Sequence, residues 1–223
     1  MENYLGKKPQ TASIDADILA EQHGYTAVKR LIDAVGSAVG LVLLSPLFFV
    51  LAILIKLDDP AGPVFFSQIR IGKDGQEFRM YKFRSMCVGA ESKLAKLVEK
   101  NEIDGPMFKM KEDPRVTRIG RFIRKSSLDE LPQLYNVLRG DMSLVGPRPC
   151  LPREYQEYSE HDKQRLLVLP GCTGLWQVSG RNALSFDQMV GIDLEYISHR
   201  SILNDIVILF KTVKVIFVPN QAY

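Results

Sequence analysis

The stretch SSLDELPQLYNVLRGDMSLVGPRP, residues 126–149, holds the densest set of chemically capable side chains in this sequence. Asp129 and Glu130 form a carboxylate pair. Ser127, three residues ahead of Glu130, reads as the start of a capping box. Leu131, Leu134, Val137 and Leu138 then give a helical apolar face, and Gly140 a stop. The spacing has two readings. In the structural one, acids in a first helical turn complement the helix dipole and Glu130 folds back onto its own backbone. In the chemical one, the positive potential of a helix N-terminus lowers the pKa of Asp129 and keeps it an ionised nucleophile towards phosphorus. A Glu130 committed to its backbone could not also ligate a metal, so those two assignments compete.

A carboxylate approaching a phosphate group meets negative oxygens, and nearby cations must offset the repulsion. Arg124 lies just upstream, Arg148 sits within GPRP and Arg181 within VSGR; a divalent ion would add to them. Prolines on both sides of Arg148 restrict its backbone, which suits a guanidinium presented from a stiff turn. PGCTGLWQVSGRN, residues 170–182, alternates glycines with small polar residues, a weak signal for backbone N–H groups approaching a phosphate. Trp176 within it reads as a packing or interface anchor.

Other chemistries find little support. The three histidines, His23, His161 and His199, lie far apart without metal-ligand spacing. Cys87, Cys150 and Cys172 offer no CxxC pair, so neither a zinc site nor a disulfide framework is suggested and a reducing compartment fits. The net charge of +3 carries no message by itself, and without any nucleic-acid motif the sequence predicts no nucleic-acid partner.

The elements that must position these residues begin with an uncharged run, Val35 to Ile55, about 30 Å long as a helix and therefore matched to a bilayer core. Ser45 and Pro46 interrupt it. Pro46 cannot donate to the carbonyl of Val42, and Ser45 can return a hydrogen bond to a carbonyl so freed. Lysines and arginines flank both ends: Lys7, Lys8, Lys29 and Arg30 before, Lys56, Arg70 and Lys73 after. Neither flank looks translocated, and a re-entrant hairpin is expected over a crossing span. The expected organisation is a polar tail at 1–27, a hairpin at 28–57 broken at Ser45-Pro46, and one medium catalytic domain at 58–223. Within that domain, runs Val64 to Ile71 and Glu77 to Phe83 flank the turn signal Asp74-Gly75. Helices are predicted over Ala90 to Lys100, Arg115 to Lys125 and Ile202 to Val218, with a loop over 101–114. Arg115, Arg118, Arg121, Arg124 and Lys125 give the second helix a basic face opposite Val116, Ile119, Phe122 and Ile123, suited to anionic lipid or substrate phosphate. Lys211 and Lys214 let the third helix either lie at the interface or pack on the core.

Taken together, KRLID, SP, PVFFSQIRIG, YKFRSM, SLDELPQLYNVLRGDMSLVGPRP and PGCTGLWQVSGRN, in this order from about Lys29 onwards, resemble the bacterial sugar transferases, the monotopic phosphoglycosyl transferases that act on polyprenyl phosphate. The resemblance implies an α+β fold: a re-entrant helix-break-helix entering one leaflet, interfacial amphipathic helices, and a small α/β catalytic domain at the cytoplasmic face of the inner membrane. It implies transfer of a sugar 1-phosphate from a UDP-sugar, UDP-glucose or UDP-galactose, to undecaprenyl phosphate with release of UMP, the first membrane step of exopolysaccharide, capsule or O-antigen synthesis. By the same resemblance, Asp129 is the nucleophile, forming a covalent phosphosugar intermediate. Glu130 assists through Mg²⁺ held with Asp129, and Arg148, Arg181 and Arg124 hold phosphates or nucleotide. Lys29, Arg30 and Asp33 stand at the hairpin base. Larger members carry transmembrane helices where this sequence has a polar stretch, so any role of that domain is expected to be absent or supplied by another chain. A membrane-docked scaffold and a lipid-phosphate hydrolase are the competing functions. The identity of the sugar and the oligomeric state, a homo-oligomer included, stay open.

Overall fold

The computed structural model describes residues 14, 19, 21–94, 97, 110, 112–180 and 184–217. Two helices, α1 (His23–Leu43) and α2 (Ser45–Asp58), meet at Leu44 with a bend of 59°. The break falls where the proline requires it. Pro46 occupies the first turn of α2, where its missing N–H is no loss, and the Ser45 hydroxyl donates to the Val42 carbonyl at 2.7 Å. α1 starts at His23, five residues before the expected boundary at 28. Ile14 and Leu19, in the stretch expected to be a polar tail, pack against the main core.

The first helix is inverted relative to a soluble one. Its buried side carries Asp33 and Ser37, with Gly36 and Gly40 letting Leu144 and Leu134 approach. Its exposed side carries Leu31, Val35, Val39 and Val42, each more than half exposed. Small and polar residues facing protein with aliphatics facing out is the pattern of a helix bathed in lipid. In α2, Leu51 and Ile55 turn inward against Phe83 and Ile123, while Phe49, Val50, Ile53 and Leu57 stay exposed. No single helix among the described residues is long and apolar enough to cross a membrane; the bent pair passes that test only together.

Strands β1 (Phe65–Ile71) and β2 (Glu77–Phe83) pair antiparallel from Phe65 opposite Phe83 to Ile71 opposite Glu77. The Asp74-Gly75 signal lies at the turn, where both residues have positive φ, 54° and 74°. The predicted helix from Ala90 is present as α3 (Ala90–Leu94); beyond Leu94 only Leu97 of it lies within the described residues, as does little of the expected loop. Helices α4 (Arg118–Lys125) and α5 (Gln133–Arg139) follow, then β3 (Ser143–Val145), which pairs in parallel with β4 (Gly171–Thr173). Short helices α6 (Pro152–Glu157) and α7 (Glu160–Lys163) lie between these strands. After β4 come α8 (Leu175–Ser179), α9 (Phe186–Ser198) and α10 (Ile202–Phe217). The main core joins β3, α9 and α10 through Val145, Val190, Tyr196, Ile197 and Ile208.

The glycines of PGCTG serve this packing. A Cβ on Gly171 would stand 2.1 Å from the Gly146 nitrogen and one on Gly174 2.5 Å from the Gly146 carbonyl oxygen. Forced overpacking of this kind costs about 1–3 kcal/mol or more. Gly171→Ala is therefore expected to lower stability by at least about 2 kcal/mol, read as a loss of melting temperature in detergent or nanodiscs.

The basic helix departs from expectation at two places. Arg115 lies before α4 and is buried, its guanidinium forming a fork on Asp113 with a shortest contact of 2.6 Å. Phe122, predicted on the core side, is 59% exposed beside exposed Arg118, Arg121 and Lys125, while Ile123 takes the buried position. An aromatic among cations is an interfacial pattern. α10 combines the two behaviours expected of it: Ile208 is buried and Thr212 bonds Thr173, while Leu203, Phe210 and Val213 are exposed.

Candidate active site

Asp129 and Glu130 lie in the first turn of a short 3₁₀ helix, Leu128–Glu130, between α4 and α5, and not on one continuous helix running through Leu138. The capping box is absent. Ser127 adopts a left-handed conformation, φ 56°, and its side chain caps nothing. The cause is Pro132: a helix running on from Leu128 would need the N–H that proline lacks, so the chain closes one 3₁₀ turn and restarts after Pro132 as α5. Leu128 and Leu131 anchor the turn in the cluster around Ile123.

The electrostatics of Asp129 also run opposite to expectation. No long helix lies behind it to lend a dipole, and it is 8% exposed. Burial pushes its carboxyl up to about 6; Lys82 and Arg124 restrain that rise and the charge of Glu130 adds to it. Glu130 goes the other way. Burial would raise it too, but the Lys82 ammonium, followed by Arg148 and Arg70, outweighs that effect and holds its carboxyl below the ordinary range. Two adjacent carboxylates are thus set apart, one firmly ionised and one poised near neutrality.

Lys82 was not singled out in the sequence reading. Its Nζ donates to Glu130 Oε1 at 2.6 Å from the middle of β2. The available signal was a lysine in YKF between residues that belong in a core, a place where a cation needs a partner. Asn136 of α5 registers the strand against the carboxylate turn. Its fully buried amide donates to the Arg79 carbonyl at 2.6 Å and accepts from the Tyr81 N–H at 3.0 Å.

Arg148 stands where the proline-bracketed turn was expected to present it. The Gly171 N–H bonds the Pro147 carbonyl at 2.8 Å, the Ile71 N–H bonds the Cys150 carbonyl at 2.9 Å, and Arg70 donates to the Pro149 carbonyl at 3.1 Å. Every residue around Arg148 is pinned, and its side chain lines the cavity beside the carboxylates. Arg70, which the sequence offers only as a flank of the apolar run, is 6% exposed with its Nε unpartnered. Burial, with Arg148 close by, brings its guanidinium down to about 10.

These groups line one cavity of about 690 Å³, a size that suits a small organic ligand. Its described lining includes Arg70, Lys82, Arg84, Arg124 and Arg148 around Asp129 and Glu130. Trp176 lines it too, largely buried, as a packing anchor would be. Arg181 lies outside the described residues. Among those described, no three His, Cys, Asp or Glu side chains gather into a metal cluster. Mg²⁺ does not need one, since it takes one or two carboxylates and fills its shell with water and phosphate oxygens. Asp129 with Glu130 beside it fits such a donor set.

The KRLID residues of α1 couple the bent helix pair to this site. Lys29 pairs with Asp205 of α10 at 2.8 Å, and Arg30 donates to the Val137 and Leu138 carbonyls at 2.6 and 2.7 Å, capping α5. Buried Asp33 accepts from the Leu144 N–H at 3.0 Å.

A family model described as bacterial sugar transferase matches residues 24–219. Galactosyl transferase CpsE of Streptococcus agalactiae is 48% identical over 202 residues, covering 90% of this chain and 44% of that protein. Undecaprenyl-phosphate galactose phosphotransferase of Salmonella typhimurium is 46% identical over 200 residues, 88% of this chain and 42% of that protein. The exopolysaccharide production protein ExoY of Rhizobium meliloti is 41% identical over 199 residues, 87% of this chain and 88% of that protein. The chain spans less than half the length of the first two relatives and most of the third. From the matched span and these identities, the chain belongs to the bacterial sugar transferase family.

Proposed function

We propose that this protein is a phosphoglycosyl transferase that moves a sugar 1-phosphate from a UDP-sugar to undecaprenyl phosphate at the membrane surface, opening the synthesis of an exopolysaccharide or capsule. The observation that carries the reading is the buried carboxylate Asp129 set among cations beside an ion-paired Glu130. The Asp129 carboxylate oxygen attacks the sugar-bearing phosphorus of the donor. The bond from that phosphorus to the bridging oxygen breaks, and UMP leaves with the electron pair. An oxygen of undecaprenyl phosphate then attacks the same phosphorus, breaks the acyl phosphate bond and returns Asp129 to the free carboxylate. A single cavity thereby serves a water-soluble donor and a membrane-bound acceptor in turn.

The residues divide the work. Lys82 keeps Glu130 ionised, and Arg148 with Arg70 binds phosphate oxygens. Arg124 restrains the pKa of Asp129, and Arg181 is a further candidate phosphate ligand. Asp129 and Glu130 would hold Mg²⁺ together with donor phosphate oxygens, and the ion would neutralise phosphate charge there. UDP-galactose is the first donor to test, since galactose appears in the names of CpsE and its Salmonella counterpart.

The bent helix pair suits a wedge that enters one leaflet and returns. α2, at 14 residues, reaches only about 21 Å, short of a bilayer core, and the polar side of α1 is fixed to the catalytic part by Arg30 and Asp33. Incubating the protein with a panel of UDP-sugars and measuring UMP release, with and without undecaprenyl phosphate, tests the reading. UMP release from one UDP-sugar supports it, and release from none contradicts it. Because the attacking form is ionised and Asp129 titrates near 6, kcat/KM for UMP release is expected to rise about tenfold per pH unit below 6 and level off above 7.

A further inference from the structure

The cavity is graded along its length. Phe66, Gln68 and Arg70 follow one another at every second position of β1, so they share a face and span about 13 Å from first to last. The Arg70 end is basic, with Arg148 alongside and Arg153 on the lining. The Phe66 end is apolar and uncovered: Phe65 is 48%, Phe66 36% and Val88 56% exposed.

That apolar end adjoins the membrane hairpin. Phe65, which alternation turns to the other face of β1 although it too lines the cavity at the strand's end, stacks on Phe83 at 5.2 Å, and Phe83 meets Phe48 of α2 edge-on at 5.0 Å. Val88 crowds Gly62, four residues after α2 ends; a Cβ on Gly62 would stand 2.8 Å from it. Phe66 also lies directly opposite Lys82 on β2. A chain resting on Phe66 would therefore deliver its head group straight to Lys82 and Asp129.

We infer that the rim formed by Phe65, Phe66 and Val88 binds the first isoprene units of the polyprenyl phosphate acceptor, with nucleotide phosphate bound at the opposite, Arg70–Arg148 end. The inference rests on the transfer reaction proposed above and adds which end of the cavity each substrate uses. Hydrocarbon joined directly to a phosphate is the chemistry this end matches: aromatic and aliphatic surface continuous with the hairpin, leading to cations within one cross-strand step.

The test is photolabelling of the intact protein in nanodiscs with a benzophenone-bearing isoprenyl phosphate, followed by peptide mapping, alongside acceptor kinetics. Labelling is expected on residues 63–66 and 86–89, competed by undecaprenyl phosphate and not by phosphatidylglycerol. Phe66→Ser with Val88→Ser should cut labelling at least fivefold and raise the acceptor KM about tenfold, with Phe66→Leu restoring both. Labels confined to other segments, or equal competition by phosphatidylglycerol, would overturn the assignment and make the rim a bulk-lipid contact. Labelling at the rim in a protein that releases no UMP would uphold the binding site while contradicting the transfer reaction.

Discussion

Asp129→Asn is expected to lose transfer by at least about 10³-fold while making the folded protein more stable at pH 8. The amide cannot attack phosphorus, so the loss is one of chemistry. The gain in stability follows from the same burial that sets the pKa. Folding moves the carboxyl from its usual 3.8 to about 6, so the folded state binds this proton more tightly than the unfolded chain. The favourable contribution is full below pH 4 and is lost as pH rises through about 6; above that the buried charge carries a constant penalty. About two pKa units at about 1.4 kcal/mol each bound the penalty near 3 kcal/mol, and Asn removes a share of it on the order of 1–3 kcal/mol. Thermal melts of the variant and the parent protein at pH 5 and pH 8 check this. The difference should widen at pH 8.

Lys82→Met is the second large effect, and its signature is a displaced pH profile. Lys82 lowers both carboxyls of the pair, and without it Glu130 is a half-buried charge facing Asp129 with only the arginines opposite. The pair then releases its last proton at higher pH. Transfer at pH 6.5 should fall at least about 100-fold, and raising the pH to 9 should recover part of that loss. Lys82→Arg should retain the profile more closely, since it keeps the charge. A flat loss at every pH would indicate that Lys82 acts by binding phosphate and not by tuning the carboxylates.

How far the sequence discloses this arrangement depends on how local each cause is. The hairpin turn, the break in the helix and the stiff presentation of Arg148 all follow from prolines, glycines and near neighbours, and each stands where those residues predict. The Ser45 hydroxyl even meets the Val42 carbonyl. The capping box is absent for an equally local reason, since Pro132 forbids a helix running on from Leu128. Lys82 and Arg70 are different. They come from strands some fifty residues before the carboxylates, and the docking of α5 on β2 through Asn136, with the pairing of β1 to β2, brings them into one cavity. Spacing along a chain carries no trace of such a meeting. The sequence places KRLID just ahead of the apolar run, but its grip on the α5 carbonyls, Leu144 and Asp205 is a tertiary fact.

The proposed mechanism makes Asp129 the covalent carrier of the sugar phosphate between donor and acceptor. Intact-protein and peptide mass spectrometry after incubation with the productive UDP-sugar, without undecaprenyl phosphate, tests that directly. The prediction is a mass increase of one phosphosugar group on the peptide containing Asp129, matched to UMP released and discharged when undecaprenyl phosphate is added. An unmodified protein that releases UMP only when both substrates are present would contradict it.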